Sequence, residues 1–161
     1  MNYDNLNHFQ TGVALPISGL KSEDSCGIGE FCDLVPFARW AKNCGMDLIQ
    51  ILPVNDSGAG SSPYSALSAF AMNPIYLRLE KLPGAQKYLG KIRSFREKQK
   101  QHERIPYYEV YQFKQEVFKA LFEQGLEKSQ LKSLESWVKK NPWVKPYCAY
   151  LYLKQSNGHK A

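Results

Sequence analysis

The order of three segments near the N-terminus constrains the fold of this 161-residue chain more than any other feature. Residues 11–18 and 46–54 are short and apolar, as is typical of buried strands. Between them, residues 30–45 carry apolar side chains at helical spacing, with Pro36 in the first turn of the regular helix and Gly45 ending it. A strand, a helix and a strand in this order predict a βαβ unit with parallel strands.

The second predicted strand leads into an uncharged segment, GAGSSPYSALSAFAMNP, which spans residues 58–74. In α/β folds, ligands bind where the carboxyl ends of the strands meet the following loops. The segment offers four serine hydroxyls, the aromatic ring of Tyr64 and the amide of Asn73. Neutral hydrogen-bonding groups beside an aromatic ring suit a neutral polyhydroxylated ligand, a sugar. A loop without any ligand explains the same composition, so the residues alone leave both interpretations open.

The chain changes character after Pro83, from α/β to helical. Residues 73–82 alternate in hydrophobicity and predict a half-exposed third strand. Helical patterns then occupy residues 107–125, 129–141 and 142–158. The apolar face of the strongest of these helices consists of Val110, Phe113, Val117, Ala120 and Leu121.

The net charge of +6 permits a nucleic-acid partner, and the basic residues concentrate in residues 81–104. Glu97 and Glu103 interrupt this run, and its cations fall on all sides of a helix, which favours a solvated helix face. Binding to nucleic acid therefore remains only a weaker alternative function.

Other common classes of site and location find little support in the sequence. The four cysteines lack zinc-site spacing, so we expect free thiols and no metal, and Gly27 and Gly29 form a structural turn and not a cofactor-binding phosphate loop. The N-terminus lacks the pattern of a signal peptide, and no apolar run is long enough to span a membrane. We therefore predict a cytoplasmic protein without cofactors and without membrane contact.

Six short motifs follow one another in a specific order over about 65 residues. They are GVALP at 12–16, GIG at 27–29, QILP at 50–53, SPY at 62–64, SAFA at 68–71 and NP at 73–74. This series resembles the amylomaltases, bacterial 4-alpha-glucanotransferases with an alpha-amylase-like (β/α)8 barrel. The later segments YYEVYQFK and NPWVKPYCAYLYLK resemble the helical subdomain that this family inserts after its second strand.

The resemblance implies an α/β chain that supplies only the N-terminal part of a TIM barrel. Residues 1–80 would contain about two barrel strands and a substrate-binding loop at 53–74, and residues 81–161 would form the inserted helical subdomain. Because a whole barrel needs roughly 250 residues, we expect an incomplete barrel with uncovered apolar surface and unpaired strand edges. Such a fragment would be poorly soluble alone or would depend on a complementing C-terminal chain.

The family's chemistry is retaining transfer of an alpha-1,4-glucan segment to the 4-hydroxyl of an acceptor sugar, which uses two carboxyl groups about 5 to 5.5 Å apart. The match implies that Ser62 and Tyr64 contact the sugar, and the amide of Asn73 is added to the substrate-binding set. Ser61 stands where the family usually has Asp. The catalytic carboxylates would lie beyond residue 161, so no catalytic residue is assigned, and Asp56 is interpreted as a loop cap. The alternative is a non-catalytic glucan-binding or regulatory module.

Overall fold

The structure is a computed structural model, and it describes residues 10–157. The predicted helix end at Gly158 lies outside these residues. Strand β1 (Gly12–Leu15) pairs in parallel with strand β2 (Leu48–Ile51), with Gly12 opposite Leu48 and Leu15 opposite Ile51. Helix α1 (Leu34–Asn43) connects them, so the predicted βαβ unit is confirmed.

Local sequence explains both ends of α1. A short 3-10 turn, Phe31–Asp33, precedes the helix and is closed by reciprocal hydrogen bonds between Glu30 and Asp33. Pro36 lies in the first turn, where its missing N–H has no helical partner to lose. Gly45 then adopts a φ of 76°, a left-handed conformation that ends the helix without steric cost.

The two strands are more exposed than the sequence predicted. Leu48 and Ile51 are 54% and 41% exposed, although their positions predict burial on both faces of a barrel strand. Within residues 10–157 the sheet has only these two strands, so side chains that further strands would cover meet solvent instead. The prediction of buried strands is therefore wrong for this chain, and the uncovered apolar surface expected of an incomplete barrel is present.

The predicted third strand at residues 73–82 is also wrong. Two 3-10 turns, Pro74–Tyr76 and Leu79–Lys81, occupy this segment. Ile75 and Tyr76 are both buried, which a half-exposed strand forbids because successive side chains point to opposite faces. The N–H of Asn73 bonds the carbonyl of Val54, and the other backbone hydrogen bonds of this segment lie within turns or go to side chains, among them a side chain of a distant helix described below.

Four helices follow within the described part of the chain: α2 (Leu89–Gln99), α3 (Tyr107–Glu123), α4 (Lys128–Lys140) and α5 (Val144–Ser156). The chain divides into two compact units, Met1–Leu121 and Phe122–Ala161. The domain boundary predicted between residues 80 and 81 rests on the change in sequence pattern along the chain, and it stays a prediction.

Helix α3 contributes its predicted apolar face to the core of the first unit. Val110 packs with Ile17, Ile28, Ile75 and Tyr76 around the turn that follows β1. A second cluster packs α2 against α3 and contains Cys26, Leu79, Ile92, Phe113 and Val117. In the second unit, α4 and α5 bury no residue completely. Aromatic side chains occur along both helices, and the ring centroids of Trp137 and Trp143 are 6.2 Å apart.

Candidate functional site

The neutral segment 58–74 begins after the carboxyl end of β2 and returns to it through a closed neck. Residues 54–56 and 71–73 form this neck, which is antiparallel at its centre. The backbone N–H of Asp56 donates to the carbonyl of Ala71 at 2.8 Å, and a second bond of 2.8 Å joins Asn73 N–H to the carbonyl of Val54. The loop is therefore anchored at both ends to the sheet edge where ligands bind in α/β folds.

Asp56 caps the turn that opens the loop. Its Oδ1 accepts a hydrogen bond of 2.8 Å from the N–H of Gly58, whose φ of 61° favours glycine. The carbonyl of Asp56 also accepts from the N–H of Leu67 at 2.6 Å. Burial, together with the negative charge of Asp56, raises the pKa of Tyr111 on α3. These contacts agree with the interpretation of Asp56 as a loop cap.

Ser62 and Tyr64 lie together on the outer surface of the loop. The N–H of Tyr64 donates to Ser62 Oγ at 3.3 Å, which fixes the two residues in one turn. The Tyr64 side chain is 72% exposed, so one face of its ring can receive a flat ligand surface. Because Ser62 Oγ acts as an acceptor within the turn, its hydroxyl hydrogen can still point to a ligand.

Asn73 lies beneath this surface and not on it. It is 2% exposed, and its Oδ1 accepts from the N–H of Ile75 at 3.0 Å. Its Nδ2 donates to Ser57 Oγ at 3.2 Å and to the carbonyl of Gly58 at 3.3 Å. The structure thus brings Ser62 and Tyr64 together, whereas Asn73 ties the start of the loop to its end from inside.

A buried ionic network behind the loop escaped the sequence reasoning. Glu30 is fully buried and Asp33 is 3% exposed. Arg78 spans both carboxylates, with its Nε 2.7 Å from Glu30 Oε2 and a terminal nitrogen 2.6 Å from Asp33 Oδ1. Arg78 and both carboxylates are hydrogen-bonded, which is the condition under which buried charge is tolerated.

Lys114 completes the network from α3. Its ammonium group donates to Glu30 Oε1 at 2.6 Å and to the carbonyls of Ile75 at 2.6 Å and Leu77 at 2.8 Å. A lysine ammonium has three hydrogens, so all of them are used. A sequence signal existed, because Lys114 lies four residues after Val110 and three before Val117, on the face that packs into the core.

The network also shifts proton affinities. Burial acts to raise the pKa of Asp33, but hydrogen bonds from Ser22, the Glu30 backbone, Ser25 and Arg78 outweigh it and hold this pKa below its ordinary 3.8. Burial opposes the charge of Arg78, but hydrogen bonds to both acids prevail and raise the guanidinium pKa. Asp33 is therefore fixed as an anion and is unsuited to donating a proton to a substrate.

Acidic neighbours pair with several cations of the basic run. Arg96 lies 2.7 Å from Glu80, Lys91 lies 2.6 Å from Glu116, and Lys98 lies 3.1 Å from Glu109. The exposed pairs formed by Lys91 and Lys98 add little stability, but all three pairs reduce the positive potential that a phosphate backbone would need.

Cysteines, metals and membranes add no further site in the part of the chain that the structure describes. All four cysteines are free thiols, as predicted, and burial raises the pKa of Cys26 to about 12. No cluster of three potential metal-binding side chains occurs within residues 10–157. None of the described helices has the length and apolar character needed to cross a bilayer.

The chain is similar to known proteins over most of its length. The sequence profile of a family described as 4-alpha-glucanotransferase matches residues 15–161. A 4-alpha-glucanotransferase of Chlamydia caviae is 37% identical over 152 residues, and the rice (Oryza sativa subsp. japonica) 4-alpha-glucanotransferase DPE2 is 36% identical over 155 residues. The crystal structure of amylomaltase from Corynebacterium glutamicum matches with a TM-score of 0.67 at 26% identity.

The matches cover most of this chain but only part of each relative. The alignments include 89% of this chain but 28% of the Chlamydia caviae protein and 16% of the rice protein. The structural match covers 81% of this chain and 20% of the Corynebacterium glutamicum amylomaltase. The chain therefore spans less than a third of the length of these relatives.

Proposed function

Because the chain belongs to the 4-alpha-glucanotransferase family, we propose that it contributes the first part of a cytoplasmic enzyme that transfers alpha-1,4-glucan segments between sugars. Residues 1–80 would begin the (β/α)8 barrel, and residues 81–161 would form a helical insert. The observation that carries this proposal is the exposed Ser62–Tyr64 turn on an uncharged loop at the carboxyl end of β2. Substrates of this class are maltodextrins, glycogen or starch.

The share of the reaction assigned to this chain is binding. A glucose ring stacks its apolar face on Tyr64, and the Ser62 hydroxyl donates to a sugar oxygen. The lack of charge on residues 58–74 keeps the surface compatible with a neutral ligand. Aromatic stacking combined with neutral hydrogen bonds orients the ring, which lowers the entropic cost of the later chemical step.

Bond cleavage is assigned to residues outside this chain. Retaining transfer needs one carboxylate nucleophile and one carboxylic acid at the scissile bond. Glu30 and Asp33 are a close carboxylate pair, but both are buried and occupied by Arg78 or Lys114. We therefore propose that this chain alone has no transferase activity and that a complementing chain supplies the two acids.

Isothermal titration with maltoheptaose tests the binding role. We expect Tyr64→Ala to weaken binding about fivefold or more, because a flat ring stacked on an aromatic side chain contributes roughly 1–3 kcal/mol where the ring is a nucleic-acid base. Tyr152→Ala is the matched control, since Tyr152 on α5 is 71% exposed against 72% for Tyr64. Equal loss in both variants, or no loss in Tyr64→Ala, would contradict the proposal.

A disproportionation assay with maltotriose tests the division of labour. The chain is assayed alone and then mixed with the remaining portion of a related glucanotransferase. We expect no activity from the chain alone and measurable activity from the mixture. Activity of the chain alone would show that it contains its own catalytic acids.

The second candidate is a non-catalytic glucan-binding module. The observation that favours it is the occupation of both buried carboxylates by cations, which leaves the loop as the feature suited to a sugar. Binding of maltoheptaose that persists while every complementation mixture stays inactive would favour this module over the enzyme.

A further inference from the structure

The ammonium group of Lys114 is placed where one side chain can set the position of the whole loop. Its Nζ is 2.6 Å from the carbonyl oxygen of Ile75 and 2.8 Å from that of Leu77, the residues that follow the Asn-Pro exit of the loop. Lys114 is 1% exposed, so water cannot replace these bonds. An ammonium–carbonyl bond is charge-assisted and stronger than a neutral hydrogen bond.

A chain of hydrogen bonds leads from this point to the opposite end of the loop. The N–H of Ile75 donates to Asn73 Oδ1 at 3.0 Å, which orients the Asn73 amide. That amide donates to Ser57 Oγ and to the carbonyl of Gly58. Holding Ile75 therefore fixes Asn73, and through Asn73 it fixes the residues where the loop begins.

The third hydrogen of Lys114 connects this chain to a rigid support. Glu30 Oε1 accepts it at 2.6 Å, while Glu30 Oε2 is held by Arg78. Arg78 also bonds Asp33, which is fixed in turn by Ser22 and Ser25. Two cations face two anions, so the network adds no net charge beneath the neutral loop.

We infer that Lys114 is a positioning residue that holds the loop 58–74 in its sugar-binding shape through the carbonyls of Ile75 and Leu77. Its effect on glucans rests on the function proposed above, whereas its effect on the loop does not. The inference assigns to a helix outside the loop the task of keeping Ser62 and Tyr64 in place, and it explains why a lysine occupies the buried face of α3.

Hydrogen–deuterium exchange of the full chain tests the inference without any ligand. Lys114→Met keeps the aliphatic stem but removes all three donors. We expect the amides of Asp56, Leu67 and Asn73 to exchange at least tenfold faster, because two of them close the loop neck and that of Leu67 bonds the neck residue Asp56. Val117→Ala is the control, since it leaves a cavity one turn along the same helix in the cluster with Leu79 and Ile92.

Two outcomes decide the inference. The inference is supported if exchange becomes faster only in the loop of Lys114→Met and not in that of Val117→Ala, with the two variants compared under conditions of equal global stability. Faster loop exchange in both variants overturns it. If Lys114→Met does not fold, the paired variant Glu30→Gln/Lys114→Met removes both charges together, leaves no unpaired buried ion from this pair and still lacks every donor to the carbonyls of Ile75 and Leu77. The same criterion then applies to the paired variant.

A maltoheptaose titration of the same proteins separates this inference from the proposed function. We expect about tenfold weaker binding in Lys114→Met and unchanged binding in Val117→Ala. If the unmodified chain binds no glucan but loop exchange responds as expected, the proposed function fails and the positioning role stands. If the unmodified chain binds glucan and Lys114→Met binds equally well with an unaltered loop, the positioning role fails alone.

Discussion

Several charged side chains of this protein lie in its interior, where such residues are rare. Glu30, Asp33 and Lys114 are all buried, yet each belongs to a residue class that usually stays at the surface. The cost of desolvating them is offset because each one meets a group of opposite charge and further hydrogen bonds. Removing any one of them leaves the network with a net buried charge, so the contributions of these residues to stability depend on one another.

The depressed pKa of Asp33 predicts acid sensitivity. The stability that its native contacts provide is fully present above the ordinary pKa of 3.8 and is lost as the pH falls through the lower pKa of the folded state. We expect the urea midpoint to fall as the pH is lowered below about 4. Asp33→Asn should be less stable at neutral pH and should show a shallower decline in acid. An identical decline in both proteins would mean that other carboxyl groups control the acid transition.

At the scale of elements, the sequence correctly predicted those features whose conformation depends on residues close together in the chain. The βαβ unit, the position of Pro36 in α1 and the apolar face of α3 follow from periodicity and turn residues, and the structure confirms them. The alternation in residues 73–82 misled, because Lys114 takes carbonyl groups that a strand would present to a neighbouring strand. A contact across 39 residues leaves no periodic signal in the segment itself.

The candidate site could likewise be predicted only in part from the sequence. The sequence pointed to Ser62 and Tyr64, and the structure places them together on the exposed turn. Their contact with a sugar stays a prediction. The inward orientation of Asn73 could not be predicted from the sequence, because it depends on the partners Ser57 and Ile75 that only the closed loop supplies.

Close packing around Gly29 predicts that adding one methyl group at this position will strongly lower the stability of the protein. A Cβ at Gly29 would overlap the carbonyl oxygen of Ile17 and lie 2.8 Å from the backbone nitrogen of Leu20, and backbone atoms cannot easily move away. We expect Gly29→Ala to lower the free energy of unfolding by about 3 kcal/mol, measured by urea denaturation. Gly90→Ala on α2 is the control, because nothing lies within 4 Å of its Cβ, and it should be neutral or slightly stabilising. A Gly29→Ala protein as stable as Gly90→Ala would contradict the close approach of these two turns.

At the scale of the whole molecule, the exposed apolar side chains are the feature that bears on association with other chains. Val35 and Trp40 on α1 are 55% and 52% exposed, and Leu48 and Ile51 on β2 are similarly uncovered. Large exposed apolar groups beside an unpaired strand edge favour association with another chain. The first unit is therefore suited to being covered by further protein, which agrees with the partial coverage of the relatives.

This surface predicts self-association that a single charge can weaken. Leu48→Lys places a cation on the exposed face of β2, and charged side chains at strand edges oppose edge-to-edge pairing. We expect sedimentation velocity to show a shift toward monomer, while the free energy of unfolding changes by less than about 0.5 kcal/mol because Leu48 is more than half exposed. Leu153→Lys on α5 is the matched control, since Leu153 is 59% exposed but lies outside the sheet. If Leu153→Lys shifts the distribution as far as Leu48→Lys, association runs through the helices and not through the open edge of the two-stranded sheet.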